Sequence, residues 1–558
     1  LPTEVHGRPK IGRIPESPAQ KIMPRESPPL LSFNAVVRTF VLVGIVAFSW
    51  ACRRGDPLPA AKPPLLVVGI DGGEWKVIEH LWSKGQLPNL RALVDRGVRA
   101  ELKTAYNSSP VIWTTIATGV RPEVHGITDF VVPTPQGDLP VSSGLRKVPA
   151  LWNMASRGGK RTAMFGWWAS WPAEDIRGIV VSDRALLNLK ERVTPASYLP
   201  QFTRLIAESA RDSSLFQDSE EAERRDRTLA YAATTLVQED REIDLLMLYF
   251  RSPDVISHRY WKYFEPTAFP PIPPAEFERN RGQVERIYQA FDQALGKLLS
   301  AAPPESNVIV LSDHGFHASK REEETKVILD LDLVLEHLGY LSRRGSKVDF
   351  AKTRVYSYAS PNFRQARFVR FARQGREPGA VVRTSDQVSI RQALERDLAT
   401  VTYQSGEPVF YVRDARPKEL RAGADFIVGV SPVGATETLL FAGSPFEGAV
   451  EDVDRISGTH TTTTHGILIA AGPDIARGAD LTGIDVHDIC PTLLYGLGLP
   501  IANDFAGQAR TQLFTADFRR RHPVRKIASW GKRQVGGAQS SNADAALLDD
   551  LRSLGYIQ

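Results

Sequence analysis

Residues 65–75 have the sequence LLVVGIDGGEW, in which an apolar run ends at an aspartate and two glycines. A short, continuously apolar run is typical of a strand buried on both faces of a parallel sheet. Asp71 directly follows this strand, so its carboxylate is presented at the carboxyl end, where open α/β sheets bind ligands. Asp71 is therefore the first candidate site residue, although an aspartate before Gly72 and Gly73 also suits an ordinary turn.

The same alternation continues along the chain. Short aliphatic runs alternate with amphipathic segments, which is the pattern of repeated β-α-β units around a mostly parallel sheet. A helix is expected over 280–300, where apolar residues recur at helical spacing. Residues from about 331 to 455 lack the alternation, so we expect an inserted subdomain there. The predicted strands are 65–70, 162–166, 178–181, 244–249, 307–312 and 466–471.

The composition is that of an ordinary globular protein. The chain has 558 residues, of which 42% are hydrophobic and 24% are charged. A single core usually stops growing at ~250–300 residues, so we expect one large domain that carries an insertion. The net charge of +5 is small for this length, and the basic residues are dispersed among 64 acidic ones. This distribution argues against nucleic-acid binding.

The N-terminal part has the features of an export signal. Residues 39–51 (TFVLVGIVAFSWA) form an apolar run between Arg38 and Cys52, too short to span a bilayer as a stable helix. The end of this run resembles a bacterial lipoprotein cleavage site, although the usual aliphatic residue three positions before the cysteine is missing. We therefore expect an exported, periplasmic protein anchored to the membrane through lipidated Cys52. An uncleaved anchor or a simple secretory signal is the alternative.

The sequence divides into four predicted parts. Met23 would begin a signal of ordinary length, so the residues before it are left out of the fold. The second cysteine, Cys490, lies in an apolar stretch, and no disulfide is expected in the mature chain.

The four predicted parts of the sequence are a leader (1–52), a linker rich in Pro and Ala (53–64), a main domain (65–515) with an insertion at about 331–455, and a tail (516–558) with a short helix over 543–554.

Two further strand ends carry pairs of residue types that bind metals. Asp254 and His258 follow the apolar run that ends at Tyr249, and a spacing of four places them on one side of a helical turn. Asp313 and His314 are adjacent and follow another apolar run. Mixed carboxylate and imidazole donors suit zinc best, with manganese or iron as substitutes. Two such pairs predict a centre of two divalent metal ions.

Two adjacent serines, Ser108 and Ser109, are candidates for a nucleophile. In the segment NSSPVIWTTIATGVRPEVHGI, residues 107–127, Ser108 and Ser109 precede Pro110 and a predicted helix. Serine before proline is also a standard helix start, in which the hydroxyl only caps the first turn. The positive end of the helix dipole, with a metal ion beside it, could instead hold a serine hydroxyl as an alkoxide. That arrangement suits attack on phosphorus.

The last metal ligand is expected from the C-terminal half of the chain. The segment SGTHTTTTHGILIAAGP, residues 457–473, has two histidines in front of a predicted strand. His460 is favoured because it completes a set of carboxylate and imidazole donors. His465, which directly precedes the strand, is the alternative.

Together these segments resemble the type I phosphodiesterase/nucleotide pyrophosphatase family of the alkaline phosphatase superfamily, from about Leu65 to Phe514. The resemblance implies an α/β fold: a three-layer sandwich with a mostly parallel central sheet, helices on both faces and an inserted subdomain. The segments that carry it are GIDGGEW with Asp71, SSPVIWTTIATGVRPEVHGI with Ser109, SPDVISHRYW with Asp254 and His258, LSDHGF with Asp313 and His314, and GTH with His460.

The resemblance also implies a reaction. One zinc ion would be held by Asp71, Ser109, Asp313 and His314, and the other by Asp254, His258 and His460. The expected activity is hydrolysis of a phosphate ester through a phosphoserine intermediate, with a nucleotide, a phospholipid head group or a similar small phosphoester as the substrate. A phosphomonoesterase and a phosphotransferase acting on lipid head groups are alternatives, and a non-catalytic binding protein is less favoured.

The chain departs from this family beside the nucleophile. Nucleotide pyrophosphatases resemble one another in a Phe-Pro-Asn-His stretch, whereas this chain has PVIW at 110–113, and that stretch offers no asparagine to hold a phosphoryl oxygen. Asp129 is the nearest polar candidate downstream of the His-Gly-Ile turn. The aromatic residues Trp167, Trp168 and Trp171 either line a pocket or belong to the core. Specificity for nucleotides is therefore not implied.

Overall fold

The central layer of the protein is a sheet of eight strands. In a computed structural model these strands are β1 (Leu65–Ile70), β2 (Val98–Leu102), β3 (Thr162–Phe165), β4 (Gly178–Val181), β5 (Val193–Thr194), β6 (Leu245–Phe250), β7 (Asn307–Leu311) and β8 (Gly466–Ala471). Their spatial order is β2-β8-β7-β1-β6-β3-β4-β5. Strands β7, β1, β6, β3 and β4 pair in parallel, while β8 is antiparallel to β7 and β2, and β5 is antiparallel to β4.

The structure describes residues 64–134, 137–211, 216, 221–319, 326–344, 347–358, 366–421, 423–431, 439–446, 450–453, 456–554 and 556–557. The predicted leader and its Cys52 lie outside these residues, as does almost all of the predicted linker. The chain from Lys62 to Gln558 forms one compact unit. Among the helices that the structure describes, none combines the length and the hydropathy needed to cross a membrane.

Both faces of the sheet are covered, because successive side chains of a strand point to opposite faces. All six residues of β1 are buried. Leu66 and Val68 belong to one hydrophobic core, and Leu65 and Val67 belong to a second core on the other face. This arrangement explains why β1 is a continuous apolar run rather than an alternating one.

Helices form the two outer layers. The first core is covered by α1, α2, α6, α7, α8 and α10, and the second by α3, α5, α14 and α15. The predicted three-layer α/β sandwich is therefore confirmed. The helices are α1 (Trp75–Ser83), α2 (Pro88–Arg96), α3 (Ser109–Thr118), α4 (Pro122–His125), α5 (Leu151–Arg157), α6 (Leu199–Ser209), α7 (Glu221–Glu239), α8 (Ser252–Phe264), α9 (Pro274–Asn280), α10 (Gln283–Ala301), α11 (Leu331–His337), α12 (Gln387–Leu398), α13 (Pro417–Arg421), α14 (Val486–Gly496), α15 (Ala516–Arg521) and α16 (Asp544–Ser553).

The six predicted strands are confirmed, each within one residue at either end. The predicted helix over 280–300 is also present, as α10. Strands β2 and β5 were not predicted. Strand β2 has the sequence VRAEL, in which only the two end residues are buried, and β5 has only two residues. Both lie at edges of the sheet, where burial is incomplete and the apolar signal is correspondingly weak.

A smaller lobe is inserted between β7 and β8. Its main sheet is antiparallel, with the strand order Val355–Tyr358, Ala366–Phe371, Phe426–Val430 and Phe410–Asp414. The lobe has its own hydrophobic core, which includes Val369, Leu394 and Phe426. The insertion predicted from the sequence is therefore present as a separately packed sheet, and its exact limits stay predictions.

The C-terminal residues that the sequence analysis treated as a tail pack against the main domain. Helix α16 and the residues after it contribute Leu551, Leu554 and Tyr556 to small apolar clusters that also contain Phe130 and Val255. The C-terminal residues thus reach the part of the domain that contains helix α8.

The remaining strands form small sheets. These are Val131–Thr134 with Gly137–Pro140, His317–Ala318 with Gly458–Thr459, Lys326–Leu329 with Val450–Val453, Arg343–Arg344 with Lys347–Val348, Ile501–Ala502 with Lys526–Ile527, and the three-stranded set Val401–Tyr403, Leu439–Phe441 and Ser444–Pro445. Short 3₁₀ helices occur at Ser143–Leu145, Ala196–Tyr198, Pro266–Ala268, Thr384–Asp386 and Thr511–Leu513.

Candidate active site

Three neighbouring strands deliver the acidic residues to one place. Strand β1 lies between β7 and β6, and all three run in the same direction. Asp71 follows β1, Asp313 follows β7, and Asp254 lies in the first turn of α8 just after β6. Each is at most 1% exposed. The carboxyl ends of parallel strands meet at one edge of the sheet, which is where a ligand is expected.

Ser109 is the first residue of helix α3 and is buried. Its hydroxyl donates a hydrogen bond to Asp71 Oδ1 at 3.4 Å, and its Oγ lies 3.4 Å from His314 Nε2. Ser108 occupies the N-cap position, but its side chain makes no capping hydrogen bond. The structure therefore brings Ser109, and not the capping residue, to the acidic cluster.

Helix α8 presents Asp254 and His258 on one face, one turn apart, with His258 Nε2 3.4 Å from Asp254 Oδ1. The start of the helix is fixed by the buried carboxylate of Asp226. That carboxylate accepts hydrogen bonds from the backbone N–H groups of Arg251 and Ser252, at 3.0 and 2.7 Å, and from the Ser252 hydroxyl at 2.6 Å. A carboxylate at a helix N-terminus is stabilised by the dipole, so Asp226 fixes the position of this turn.

Two histidines of the site are oriented by backbone carbonyl groups. His258 Nδ1 lies 2.8 Å from the carbonyl oxygen of Gly458, and His314 Nδ1 lies 3.0 Å from that of Gly315. A carbonyl oxygen can only accept, so Nδ1 must donate in both rings, and a neutral ring then carries its lone pair on Nε2. This is how a histidine that ligates a metal is usually held.

The structure shows which of the two histidines of this segment, His460 or His465, lies at the acidic cluster. The His460 ring stacks on that of His314, with 3.5 Å between the ring centroids and 11° between the planes. His465 instead lies near β2, where its Nδ1 accepts a 3.5 Å hydrogen bond from the backbone of Thr104 and its Nε2 is 3.8 Å from Glu101. His460 is therefore the histidine of this segment that reaches the acidic cluster.

Burial and mutual repulsion perturb the carboxylates. Burial, and then the nearby charge of Asp254, raises the pKa of Asp71. Burial, and then the charge of Asp71, raises the pKa of Asp313 well above its ordinary value. Like charges this close cannot all be ionised in a low-dielectric interior unless a cation compensates them.

The donor atoms fit a divalent cation. Asp71, Asp313 and His314 offer ligand atoms that lie within 4.8 Å of one another, and so do Asp254, His314 and His460. His314 Nε2 is 3.5 Å from Asp71 Oδ1 and 3.4 Å from Asp313 Oδ2, and the latter oxygen has no hydrogen-bond donor among the described residues. A lone pair that faces two carboxylates requires either a proton or a metal ion between them.

Two tyrosines at the site were missed by the sequence analysis. The hydroxyl of Tyr249, near the end of β6, donates to Asp71 Oδ2. Tyr556, at the C-terminal end of the chain, stacks on Phe130 at 4.5 Å and lies edge-on to the ring of His258 at 5.3 Å. Tyr249 lies in a buried strand and Tyr556 is far away in the sequence, so neither could be placed at the site from its local sequence.

The three tryptophans were predicted either to line a pocket or to belong to the core, and the structure places them differently from one another. Trp167 is fully buried and packs edge-on against Trp113 at 4.9 Å, so it belongs to the core. Trp168 is half-buried, donates to the Tyr249 hydroxyl at 2.7 Å and lines a cavity. Trp171 is buried and donates to the carbonyl group of Lys190.

The family is established by sequence. The family model described as type I phosphodiesterase/nucleotide pyrophosphatase matches residues 65–432, which is more than half of the chain. The chain therefore belongs to this family of the alkaline phosphatase superfamily and is a phosphoric ester hydrolase, as predicted. Enzymes of this superfamily depend on metal ions. Among proteins with curated descriptions, none is significantly similar in sequence.

Solved structures of similar fold come from mammals and bacteria. Murine ectonucleotide pyrophosphatase/phosphodiesterase 5, in an inactive form complexed with AMP, is 15% identical, with a TM-score of 0.44, and the match covers 81% of this chain and 100% of that one. Phosphonoacetate hydrolase from Sinorhizobium meliloti, complexed with phosphonoformate, is 15% identical with a TM-score of 0.43, and the match covers 78% of this chain and 95% of that one.

Replacement of Asp129 by asparagine should reveal the burial of this carboxyl group. Burial raises the pKa of Asp129 from 3.8 to about 7. Between these two pH values the folded protein keeps a proton that the unfolded chain loses, so stability falls as the pH rises, and the full penalty applies above about pH 7. Asparagine still accepts the 2.8 Å hydrogen bond from the Phe130 N–H but cannot ionise.

We therefore expect Asp129→Asn to raise the melting temperature at pH 8 and to have a much smaller effect at pH 4. Calorimetry at both pH values measures this difference. Asp504→Asn, at an exposed position, is the matched control and should have little effect at either pH. An equal effect of Asp129→Asn at the two pH values would contradict the assignment.

Proposed function

We propose that the protein hydrolyses phosphate esters, diesters above all, through a phosphoserine intermediate on Ser109 at a centre of two divalent metal ions. The observation that carries this proposal is the position of Ser109. Its Oγ lies 3.4 Å from both Asp71 Oδ1 and His314 Nε2, at the N-terminus of a buried helix. A buried hydroxyl in this electrostatic setting is suited to act as a nucleophile.

The first proposed ligand set contains the donor group of Asp71, Asp313 and His314. The second set differs from the group of Asp254, His314 and His460, because it takes His258, whose Nε2 lies 3.4 Å from Asp254 Oδ1, in place of His314. Zinc is the best match for mixed carboxylate and imidazole donors, with manganese or iron as substitutes. When bound, ions of this kind polarise a phosphoryl oxygen and favour the ionised form of a serine hydroxyl. One ion would be held by Asp71, Ser109, Asp313 and His314, and the other by Asp254, His258 and His460.

The protein's own groups position the reaction. Ser109 Oγ loses its proton to solvent and forms a bond to phosphorus as the bond from phosphorus to the departing alcohol oxygen breaks. That oxygen takes up a proton from solvent. The positive end of the α3 dipole favours the negative charge of the phosphoryl group beside it. A water molecule then attacks phosphorus as the bond from phosphorus to Ser109 Oγ breaks. Ser109 Oγ takes up the proton that the water loses, and the phosphorylated product leaves.

The substrate is proposed to be a small phosphoester, such as a nucleotide or a phospholipid head group. Two rival activities differ in how the reaction ends or begins. A head-group phosphotransferase would pass the phosphoryl group to a second alcohol instead of to water, and a phosphomonoesterase would prefer a monoester. A non-catalytic protein would bind the phosphoester and leave it intact. Product analysis with paired aryl mono- and diesters separates these outcomes.

Ser109→Ala should abolish turnover because no other described hydroxyl lies within hydrogen-bond distance of both Asp71 and His314. We expect a fall in kcat of about 10³-fold or more for an aryl phosphodiester. When the reaction of a substrate that carries radioactive phosphorus is quenched with acid, the label should be found on Ser109 of the wild type and not on the variant.

Ser108→Ala is the matched control for this test. Its hydroxyl is buried without a hydrogen-bond partner among the described residues, so alanine should be tolerated. Full activity of the Ser109→Ala variant, or label trapped elsewhere in the chain, would overturn the assignment of the nucleophile.

Metal content should distinguish His460 from His465. We expect about two metal ions per wild-type chain. His460→Ala should lower this content and the activity, since the imidazole beside His314 is lost. His465→Ala should retain both, because that ring contacts Thr104 and Glu101 at the edge of the sheet. Elemental analysis of the three purified proteins is the measurement, and equal metal loss in both variants would contradict the proposed ligand set.

We also propose that the protein is exported to the periplasm and anchored through a lipid on Cys52, on the basis of the apolar run over 39–51. In a bacterial host, the wild-type chain should incorporate labelled fatty acid and partition into detergent, whereas Cys52→Ser should do neither. A wild-type protein without the label would refute lipidation.

A further inference from the structure

A cavity lies beside the candidate active site. Its empty volume is about 650 Å³, part of which is open to solvent. On one side its wall is formed by Gly166 and Tyr249, at the carboxyl ends of β3 and β6, and on another by Leu547 and Leu551 of helix α16. Tyr249 connects the cavity to the site, since its hydroxyl also donates to Asp71. A substrate held at the acidic cluster could therefore extend into this cavity.

Most of the lining is apolar. Phe130, Val141, Trp168, Leu187 and Leu551 all face the cavity. Ligand pockets are usually lined in this way, with a few polar groups that fix the orientation of the ligand. The cavity is thus better suited to a hydrocarbon or aromatic group than to a sugar.

The charged groups around the cavity offer no excess positive charge. Each arginine of the lining is already paired with a carboxylate, at 2.7 to 3.4 Å. Two more acidic side chains, Asp183 and Glu221, also line the cavity. A second anionic group on the substrate would be repelled here, so an uncharged occupant is favoured. The ion pairs are Arg184 with Asp544, Arg225 with Asp226, and Arg251 with Asp550.

Arg251 carries hydrogen-bond donors that none of the described residues satisfies. Its Nη1 pairs with Asp550 at 2.7 Å, but its Nε and Nη2 are buried and have no hydrogen-bond partner among the described residues. Nε and Nη2 form one edge of the guanidinium, on which two parallel hydrogen bonds can be donated. Unsatisfied donors on a residue that is only 9% exposed are costly. Arg251 lines the cavity, so an acceptor oxygen on a bound group would supply the missing partner once this edge is uncovered.

We propose that this cavity binds one alcohol group of the substrate, an uncharged apolar group with an acceptor oxygen, such as an ester, that Arg251 recognises. The inference rests on the proposed hydrolysis of phosphodiesters and adds a substrate class to it. Burial of the apolar part supplies the affinity, and the Nε and Nη2 edge of Arg251 orients the group. Helix α16 is then a wall of the substrate site.

Matched diesters test this proposal. All contain 4-nitrophenol, so the chemistry at phosphorus is constant, and they differ in the second alcohol: methyl, octyl, 4-acetoxybutyl or 5-carboxypentyl. The last three have the same number of non-hydrogen atoms. For the wild type we expect kcat/KM for the octyl and acetoxybutyl esters to exceed that for the methyl ester by about tenfold or more. The carboxypentyl ester should be poorer than both.

Arg251→Lys removes the two-donor edge and keeps the charge. It should lower kcat/KM for the acetoxybutyl ester by about tenfold relative to the octyl ester, and leave the methyl ester unchanged. Leu187→Trp, which fills the cavity, should lower kcat/KM for the octyl and acetoxybutyl esters by a similar factor. Arg413→Lys, which alters an ion pair with Glu419 in the smaller lobe, is the control and should change none of them.

Several results would overturn the inference. The first is a preference of the wild type for the carboxypentyl ester. The second is an equal fall in kcat/KM for all esters in Arg251→Lys, and the third is a kcat/KM of the wild type for the octyl ester no higher than that for the methyl ester. Calorimetric titration of Ser109→Ala with the same esters reports binding without turnover. A wild type that hydrolyses none of them refutes the proposed function, while the order of affinities in this titration still decides the role of the cavity.

Discussion

The site depends on three buried carboxylates held together by three adjacent parallel strands. Because β1 lies between β7 and β6, the residues that follow these strands must converge on one edge of the sheet. Asp71, Asp313 and Asp254 are all excluded from solvent there, which is unfavourable for a protein without a compensating cation. The hydrophobic cores on both faces hold the strands in place, and the folded protein carries this local cost.

Hydrogen bonds with surrounding groups fix the positions and orientations of the side chains in the cluster. Asp226 fixes the first turn of α8, and the carbonyl groups of Gly458 and Gly315 set the orientation of His258 and His314. Tyr249 donates to the carboxylate of Asp71. Such outer contacts determine which ring nitrogen carries a lone pair and where each carboxylate oxygen points. The positions of these donor atoms are thus fixed by contacts within the protein itself.

The C-terminal residues contact both helix α8 and the cavity beside the acidic cluster. In the predicted tail, Leu551 of helix α16 lines the cavity, and Tyr556, which follows this helix, lies edge-on to the ring of His258. Arg251 connects the two regions, since it lies at the start of α8 and pairs with Asp550 of helix α16. One short helix therefore links the start of α8, which carries Asp254 and His258, to the wall of the adjacent cavity.

The sequence by itself determined six strands of the main sheet and their burial on both faces, because local periodicity depends on how much of each segment is buried. It also showed which residue types follow these strands. Its segments also sufficed to predict the family. Only the tertiary structure decided that His460 rather than His465 reaches the cluster, that Tyr249 donates to Asp71, and that Arg251 faces a cavity closed by helix α16. These contacts join residues far apart in the chain, and they follow from the order of strands in the sheet, which no local pattern encodes.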